Sequence, residues 1–324
     1  MANSALRSRL VRIFVDGLCL LFVWLVVIII KLGDIQPFRR GFFCDDQSLM
    51  HPYKDDTITS TALIFCGLAV IAVIVFFTEL GNFLVARSKR VDLPTFQLGK
   101  FTINSLLWNL YKYIGIFGFG AGVCMSFTDV GKYSIGRLRP HFLDVCKPDL
   151  SKVNCSTYVE GDVCLGTGAT AYQLKNMRLS FPSGHSSYAM YCAFYAMLYL
   201  HSRVQWKGSV LLKHLVQAVV MIGMFWICLS RISDYKHHWS DVLGGAVIGI
   251  ATAIATVFGI SDLYRHPLEI TLQEQVNRQK SGYLSDSVYP RNGSTSVENP
   301  GARESELEGV AVHKSASYNT FKSN

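Results

Sequence analysis

Apolar residues along this chain gather into six long runs with more polar connections between them, and the last run ends near residue 260. The runs lie near 13–30, 58–77, 113–130, 186–200, 215–229 and 242–260. About 20 apolar residues cross the hydrocarbon core of a bilayer. Each run taken singly also suits a packed core helix, the fourth most of all, and the fourth and fifth must extend past these limits to span. Six in succession predict an all-α bundle of six transmembrane helices, with a short helical and loop region on its outer side.

The first run follows Arg7, Arg9 and Arg12 and has no small-residue cleavage site, so it reads as a retained signal-anchor. Arg7, Arg9 and Arg12, then Arg87, Lys89, Arg90 and Lys100, then Arg203, Lys207 and Lys213 mark the termini and even-numbered connections as cytoplasmic. The first connection instead carries Asp34, Asp45, Asp46, Asp55 and Asp56. The odd-numbered connections therefore face the extracellular or lumenal side. The third of these, 131–182, is long and basic, against the rule.

Composition changes sharply after the last run. Residues 1–265 form the membrane domain, and 266–324 are polar and rich in Ser, Asn and Glu. Such a segment buries too little surface to offset its ordering entropy, which predicts a disordered cytoplasmic tail. The net charge of +8 is spread over short connections, not concentrated on one soluble face, so no nucleic-acid partner is expected.

The third connection contains the sequon Asn154-Cys155-Ser156, on the side where glycosylation occurs; Asn292-Gly293-Ser294 falls in the cytoplasmic tail and should stay silent. Of nine cysteines, Cys44, Cys146, Cys155 and Cys164 lie on the outer side, where disulfides persist. Cys155 with Cys164 is the preferred short-loop pair, leaving Cys44 with Cys146. Gly118-x-x-x-Gly122 and Gly245-x-x-x-Gly249 suit close helix approach.

Three polar clusters fall at the same outer face. The first runs from Lys132 to Arg139 and Pro140. These two cations share a helical face if the helix continues, and both suit phosphate oxygens. Snorkelling interfacial cations are the bland reading. The second is Pro182-Ser183-Gly184-His185, a turn opening a helix, where Ser183 can cap and Gly184 lets an anion approach free N–H groups. A plain capped helix is its bland reading. The third runs from Ser230 and Arg231 to His237 and Asp241. His237 and Asp241 stand at i and i+4, so a carboxylate can orient one imidazole nitrogen and free the other to attack. A surface hydrogen bond would also account for that pair. His238 points elsewhere on a helix. Together the clusters supply cations, two histidines and a carboxylate, an inventory for phosphoryl transfer. No acidic cluster suited to Mg²⁺ accompanies them, so neither metal nor cofactor is expected.

These residues match K-x6-R-P, P-S-G-H and S-R-x5-H-x3-D in order and spacing, and residues 10–265 resemble the animal lipid phosphate phosphatases of the type-2 phosphatidic acid phosphatase superfamily. The resemblance implies an enzyme in which His237 attacks phosphorus, Asp241 orients it and His185 protonates the leaving alkoxide. It implies that Lys132, Arg139, Ser183, Gly184 and Arg231 hold the phosphate. It also implies phosphatidate, lysophosphatidate, sphingosine 1-phosphate and ceramide 1-phosphate as substrates, and self-association as homo-oligomers. Plasma membrane is the first expected location, with endoplasmic reticulum and Golgi meeting the same topology. Competing readings are a non-catalytic lipid-phosphate binder, a phosphatase for a sugar phosphate or polyprenyl diphosphate, and a haloperoxidase relative. Intact His185, His237 and Asp241 and the six runs favour the lipid phosphatase.

Overall fold

Long helices form wherever the apolar runs lie, and each helix extends past its run at one end or both. The computed structural model describes residues 2–264 apart from 89, 91, 92, 94, 99, 100, 150, 152, 162 and 205–208. The expected tail at 266–324 lies outside the described residues. In chain order the elements are α1 (Ala2–Leu32), α2 (Ser60–Ser88), an antiparallel hairpin of β1 (Phe96–Leu98) and β2 (Phe101–Ile103), and α3 (Ser105–Ile135). Then come α4 (Phe142–Cys146), α5 (Ala171–Asn176), α6 (Gly184–Arg203), α7 (Val210–Ser233) and α8 (Trp239–Ile254), the last running into a π turn at Ala255–Ile260.

Among the described residues five helices, α1, α2, α3, α7 and α8, are long and apolar enough to cross a membrane. Their outward faces carry exposed Phe14, Leu21, Phe65, Phe77, Ile222 and Val247. Bands of exposed apolar surface on this scale suit lipid contact. The sixth expected span, α6, departs from the count. Its 20 residues rise about 30 Å, enough for a bilayer, yet it is less apolar than the others. The reason is its place: α6 packs against α2, α3, α7 and α8, so its surface meets protein and not lipid. Polar groups there need partners, and they have them. Tyr188, Tyr191 and Tyr195 donate to the carbonyls of Ile64, Phe117 and Tyr113 at 3.1, 2.8 and 2.8 Å.

Small residues let the helices close on each other. A Cβ on Gly245 would stand 2.3 Å from the Ser183 carbonyl oxygen, and one on Gly249 would stand 2.2 Å from that of Ser187. Gly122 of α3 is similarly close to Val23 of α1. Both small-residue pairs are packing features, as expected.

A second, smaller core lies among the connections, around Phe42, Leu138, Phe142, Val145, Val159 and Met177. Two disulfides brace it: Cys44–Cys155 and Cys146–Cys164. This corrects the expected Cys155–Cys164 and Cys44–Cys146 pairing. The cause is a backbone bridge in which Phe42 and Val159 exchange hydrogen bonds of 3.0 and 2.9 Å, bringing Cys44 beside Cys155. A second bridge, Pro148 with Cys164, sets Cys164 beside Cys146. The outcome ties the first connection to the third. Asn154 is exposed there, its side-chain oxygen accepting from Ser156 N–H at 3.1 Å.

Candidate active site

Helix α3 ends one turn after Lys132. Gly136 adopts φ +57° and its N–H closes on the Lys132 carbonyl. A side chain there would meet the Phe38 carbonyl oxygen at 1.9 Å, so glycine is required on two counts. The expectation that Lys132 and Arg139 share one helical face is therefore corrected. Arg139 lies in the extended segment beyond, fixed by its N–H to the Met177 carbonyl at 2.9 Å. Its guanidinium donates to Asn176 Oδ1 at 3.1 Å and to the Leu179 carbonyl at 3.4 Å. Both cations still reach the same cavity.

The turn before α6 forms as expected. Ser183 caps the helix, and its backbone N–H donates to the Asp241 carbonyl at 3.0 Å. Ser183 is wholly buried and lies behind the cavity, whereas Gly184 and His185 line it. His185 Nε2 pairs with the Ile58 carbonyl at 2.9 Å, which leaves Nδ1 as the nitrogen free of that bond. The same carbonyl accepts from Arg231 at 3.0 Å.

Helix α7 runs through Arg231 and stops at Ser233. Tyr235 then takes a left-handed φ of 55°. That conformation costs a non-glycine residue about 1 kcal/mol or more and is held by its surroundings. It turns the chain so that the Lys236 and His237 N–H groups both close on the Arg231 carbonyl at 3.1 Å. Lys236 and His237 then line the cavity. Because α8 begins only at Trp239, His237 and Asp241 are not on one helical face. His237 Nδ1 stands 3.9 Å from Asp241 Oδ2, an ion-pair distance and too long for a hydrogen bond. The wholly buried Asp241 is held instead by Arg137 at 2.6 Å, Ser180 at 2.6 Å, and the His238 N–H at 2.9 Å. It caps its own helix through that last bond.

The cavity, about 460 Å³, thus brings together Lys132, Arg139, Gly184, His185, Arg231 and His237. Ser183 and Asp241 sit behind it. Buried polar atoms ordinarily have partners, so orphans are informative. Arg139 Nε, Arg231 Nε and His237 Nδ1 are buried without one, all on residues lining this cavity. Burial, then Arg139 and the neighbouring cations, push His237 well below its ordinary imidazole range. The ring is therefore neutral near pH 7, with a lone pair available. Burial also lowers Arg139, to about 10, which keeps it charged. No group of three or more metal-ligating side chains occurs among the described residues.

Several lining residues escaped sequence reasoning. Asp56 pairs with Arg231 at 2.9 Å, and Lys236 stands 3.8 Å from the centre of the Tyr53 ring. His141 hydrogen-bonds the Tyr235 carbonyl through Nδ1 at 2.8 Å, and burial pushes it down to about 4. Asp129 lines the cavity one turn before Lys132. The available signal was the acidic first connection, which looked like topology but also furnishes a counter-charge to the site.

This is the architecture and site of a PAP2-type membrane protein. The PAP2 superfamily pattern matches residues 113–264, which contain all three clusters. Phospholipid phosphatase 2 of Homo sapiens is 40% identical over 279 residues, covering 85% of this chain and 92% of that protein. Phospholipid phosphatase 2 of Rattus norvegicus is 39% identical over 280 residues, covering 86% and 97%. Phospholipid phosphatase 1 of Rattus norvegicus is 39% identical over 283 residues, covering 84% and 96%. No solved structure matches the chain. The chain belongs to the phospholipid phosphatase family of the PAP2 superfamily.

Proposed function

We propose that this chain hydrolyses lipid phosphomonoesters, among them phosphatidate, lysophosphatidate, sphingosine 1-phosphate and ceramide 1-phosphate, through a phosphohistidine on His237. The observation that carries the reading is the set of orphaned polar atoms, two guanidinium Nε donors and one imidazole nitrogen, on residues lining one cavity. A phosphate group would satisfy the donors, since guanidinium N–H groups suit its oxygens.

In this mechanism the neutral His237 attacks phosphorus as the P–O bond to the lipid breaks. His185, whose Nε2–H stays on the Ile58 carbonyl, takes the proton of the bound phosphate monoanion at Nδ1 and passes it to the departing alkoxide. Water then attacks the phosphohistidine, with His185 taking its proton, and inorganic phosphate leaves. Lys132, Arg139, Arg231 and the N–H at Gly184 hold the oxygens; Ser183 shapes that turn. Catalysis here is mainly positioning and charge stabilisation, which needs no metal or other cofactor. Asp241 acts from 3.9 Å, as a fixed negative charge behind the phosphohistidine cation. The site faces the extracellular or lumenal side, with both termini cytoplasmic and α6 as the sixth span. Plasma membrane is the proposed location, followed by endoplasmic reticulum or Golgi. Asn154 carries the glycan, and the chain self-associates.

The test uses purified full-length protein in detergent with phosphatidate micelles and excess chelator. Phosphate release is expected from the wild type, and His237→Ala should lower it by at least about 10⁴-fold. Equal rates in the two proteins would remove His237 from the chemistry.

A further inference from the structure

One residue lining the cavity carries an orphaned acceptor that a bound phosphate would not satisfy. Asp129 is 7% exposed, and its Oδ2 is buried without a hydrogen-bond partner. The nearest cation, Lys31, stands 4.0 Å away, an ion-pair distance beyond hydrogen-bond length. A phosphate needs donors, so a carboxyl oxygen cannot serve it. Something else in the ligand must.

Position along α3 narrows what that is. Met125, Thr128, Asp129 and Lys132 all line the cavity from this helix. They follow helical spacing and form one stripe, apolar at Met125, acidic at Asp129 and basic at Lys132. Leu63 and Ile64 of α2 add apolar lining. Asp129 and Lys132 differ by about 4.5 Å along the axis. The carboxyl group therefore lies between the place for phosphate and the place for an acyl chain, where the lipid backbone would pass.

We infer that Asp129 is a specificity-determining residue that accepts a hydrogen bond from a donor on the lipid backbone, on the carbon next to the phosphorylated one. This rests on the lipid phosphatase reading of the site. A free hydroxyl, as in a monoacylglycerol phosphate, or an ammonium, as in a long-chain base phosphate, supplies that donor. A diacylglycerol phosphate offers an ester there, which only accepts, and leaves the carboxyl group unpaired. Leaving such a buried group unpaired is what lets a site reject an analogue.

The test compares kcat/KM for a monoacylglycerol phosphate, a long-chain base phosphate and a diacylglycerol phosphate, in wild type, Asp129→Asn and Asp129→Ser. Each ratio of two substrates is taken on one preparation, so a loss of folded protein cancels. Both variants are expected to shift the donor-to-diacyl ratio about tenfold toward the diacyl lipid. A larger shift for the long-chain base marks the ammonium as the preferred donor, and a larger shift for the monoacyl lipid marks the hydroxyl. Ratios within threefold of wild type, or inactivity of both variants toward all three lipids, overturn the inference and leave the reading of the site intact. A wild type that hydrolyses none of the three overturns both.

Discussion

The two ends of α6 both bury charge, and they do so in opposite ways. At its far end Glu79 is 2% exposed and accepts four hydrogen bonds: two from Arg203, one from Tyr199 and one from Asn109, each at 2.8 Å. Every carboxylate oxygen there is answered by α3 or α6. At the near end Arg139, Arg231 and His237 are also buried, yet each keeps an atom without a partner. A fully answered charge cluster joins helices. An unanswered one costs stability, which the proposed function explains as room kept for a ligand.

Replacing the arginine at each end should separate the two roles. Arg203→Met leaves Glu79 as a buried anion without its cation, and the expected loss is about 3–5 kcal/mol of stability. Thermal inactivation in detergent reads this, and activity per folded molecule should stay within about threefold. Arg139→Met should do the reverse. Phosphate release falls about 10²–10³-fold, as for loss of one transition-state donor. Stability stays within about 1 kcal/mol, because a partly unpartnered charge leaves the interior. If Arg203→Met abolished turnover without loosening the fold, the contrast between the ends would collapse.

A smaller effect concerns acid. His141, beside the cavity, titrates at about 4, below the ordinary imidazole value. Between pH 6.5 and 4 the unfolded chain therefore binds a proton that the folded chain refuses. Its stabilising contribution is complete above pH 6.5 and is lost as pH falls through that window, by about 3 kcal/mol in all. His141→Asn keeps a donor for the Tyr235 carbonyl and should flatten the decline of inactivation temperature between pH 6.5 and 4.5. An unchanged slope would mean that other groups govern the acid limb.

What could be read from the sequence follows from what each residue touches. Helices α1, α2, α3, α7 and α8 announce themselves because much of their surface meets lipid, so composition alone marks them. Helix α6 is fainter because its neighbours, and not lipid, satisfy its tyrosines. That the three clusters belong together was legible, and residues of each do line one cavity. Their detailed geometry was not. The i, i+4 argument for His237 and Asp241 fails because α8 starts after His237, and Asp241 turns to Arg137 and Ser180 instead. Asp56 meets Arg231 across 175 residues of chain, a contact that no local pattern encodes. The cysteine pairing went the same way: sequence distance favoured a short loop, but the Phe42–Val159 bridge decided it.

The tyrosine-lined character of α6 bears on how the protein is made. Transfer of a helix from the translocon into lipid is governed by its own apolarity, and polar side chains count against it. Helix α6 emerges after α2 and α3, which offer carbonyls to three of its hydroxyls, and before α7 and α8, which enclose its remaining sides. On the proposed six-span reading, its integration is a cooperative step during biogenesis, in which earlier helices receive the segment that carries His185 and later ones seal it in.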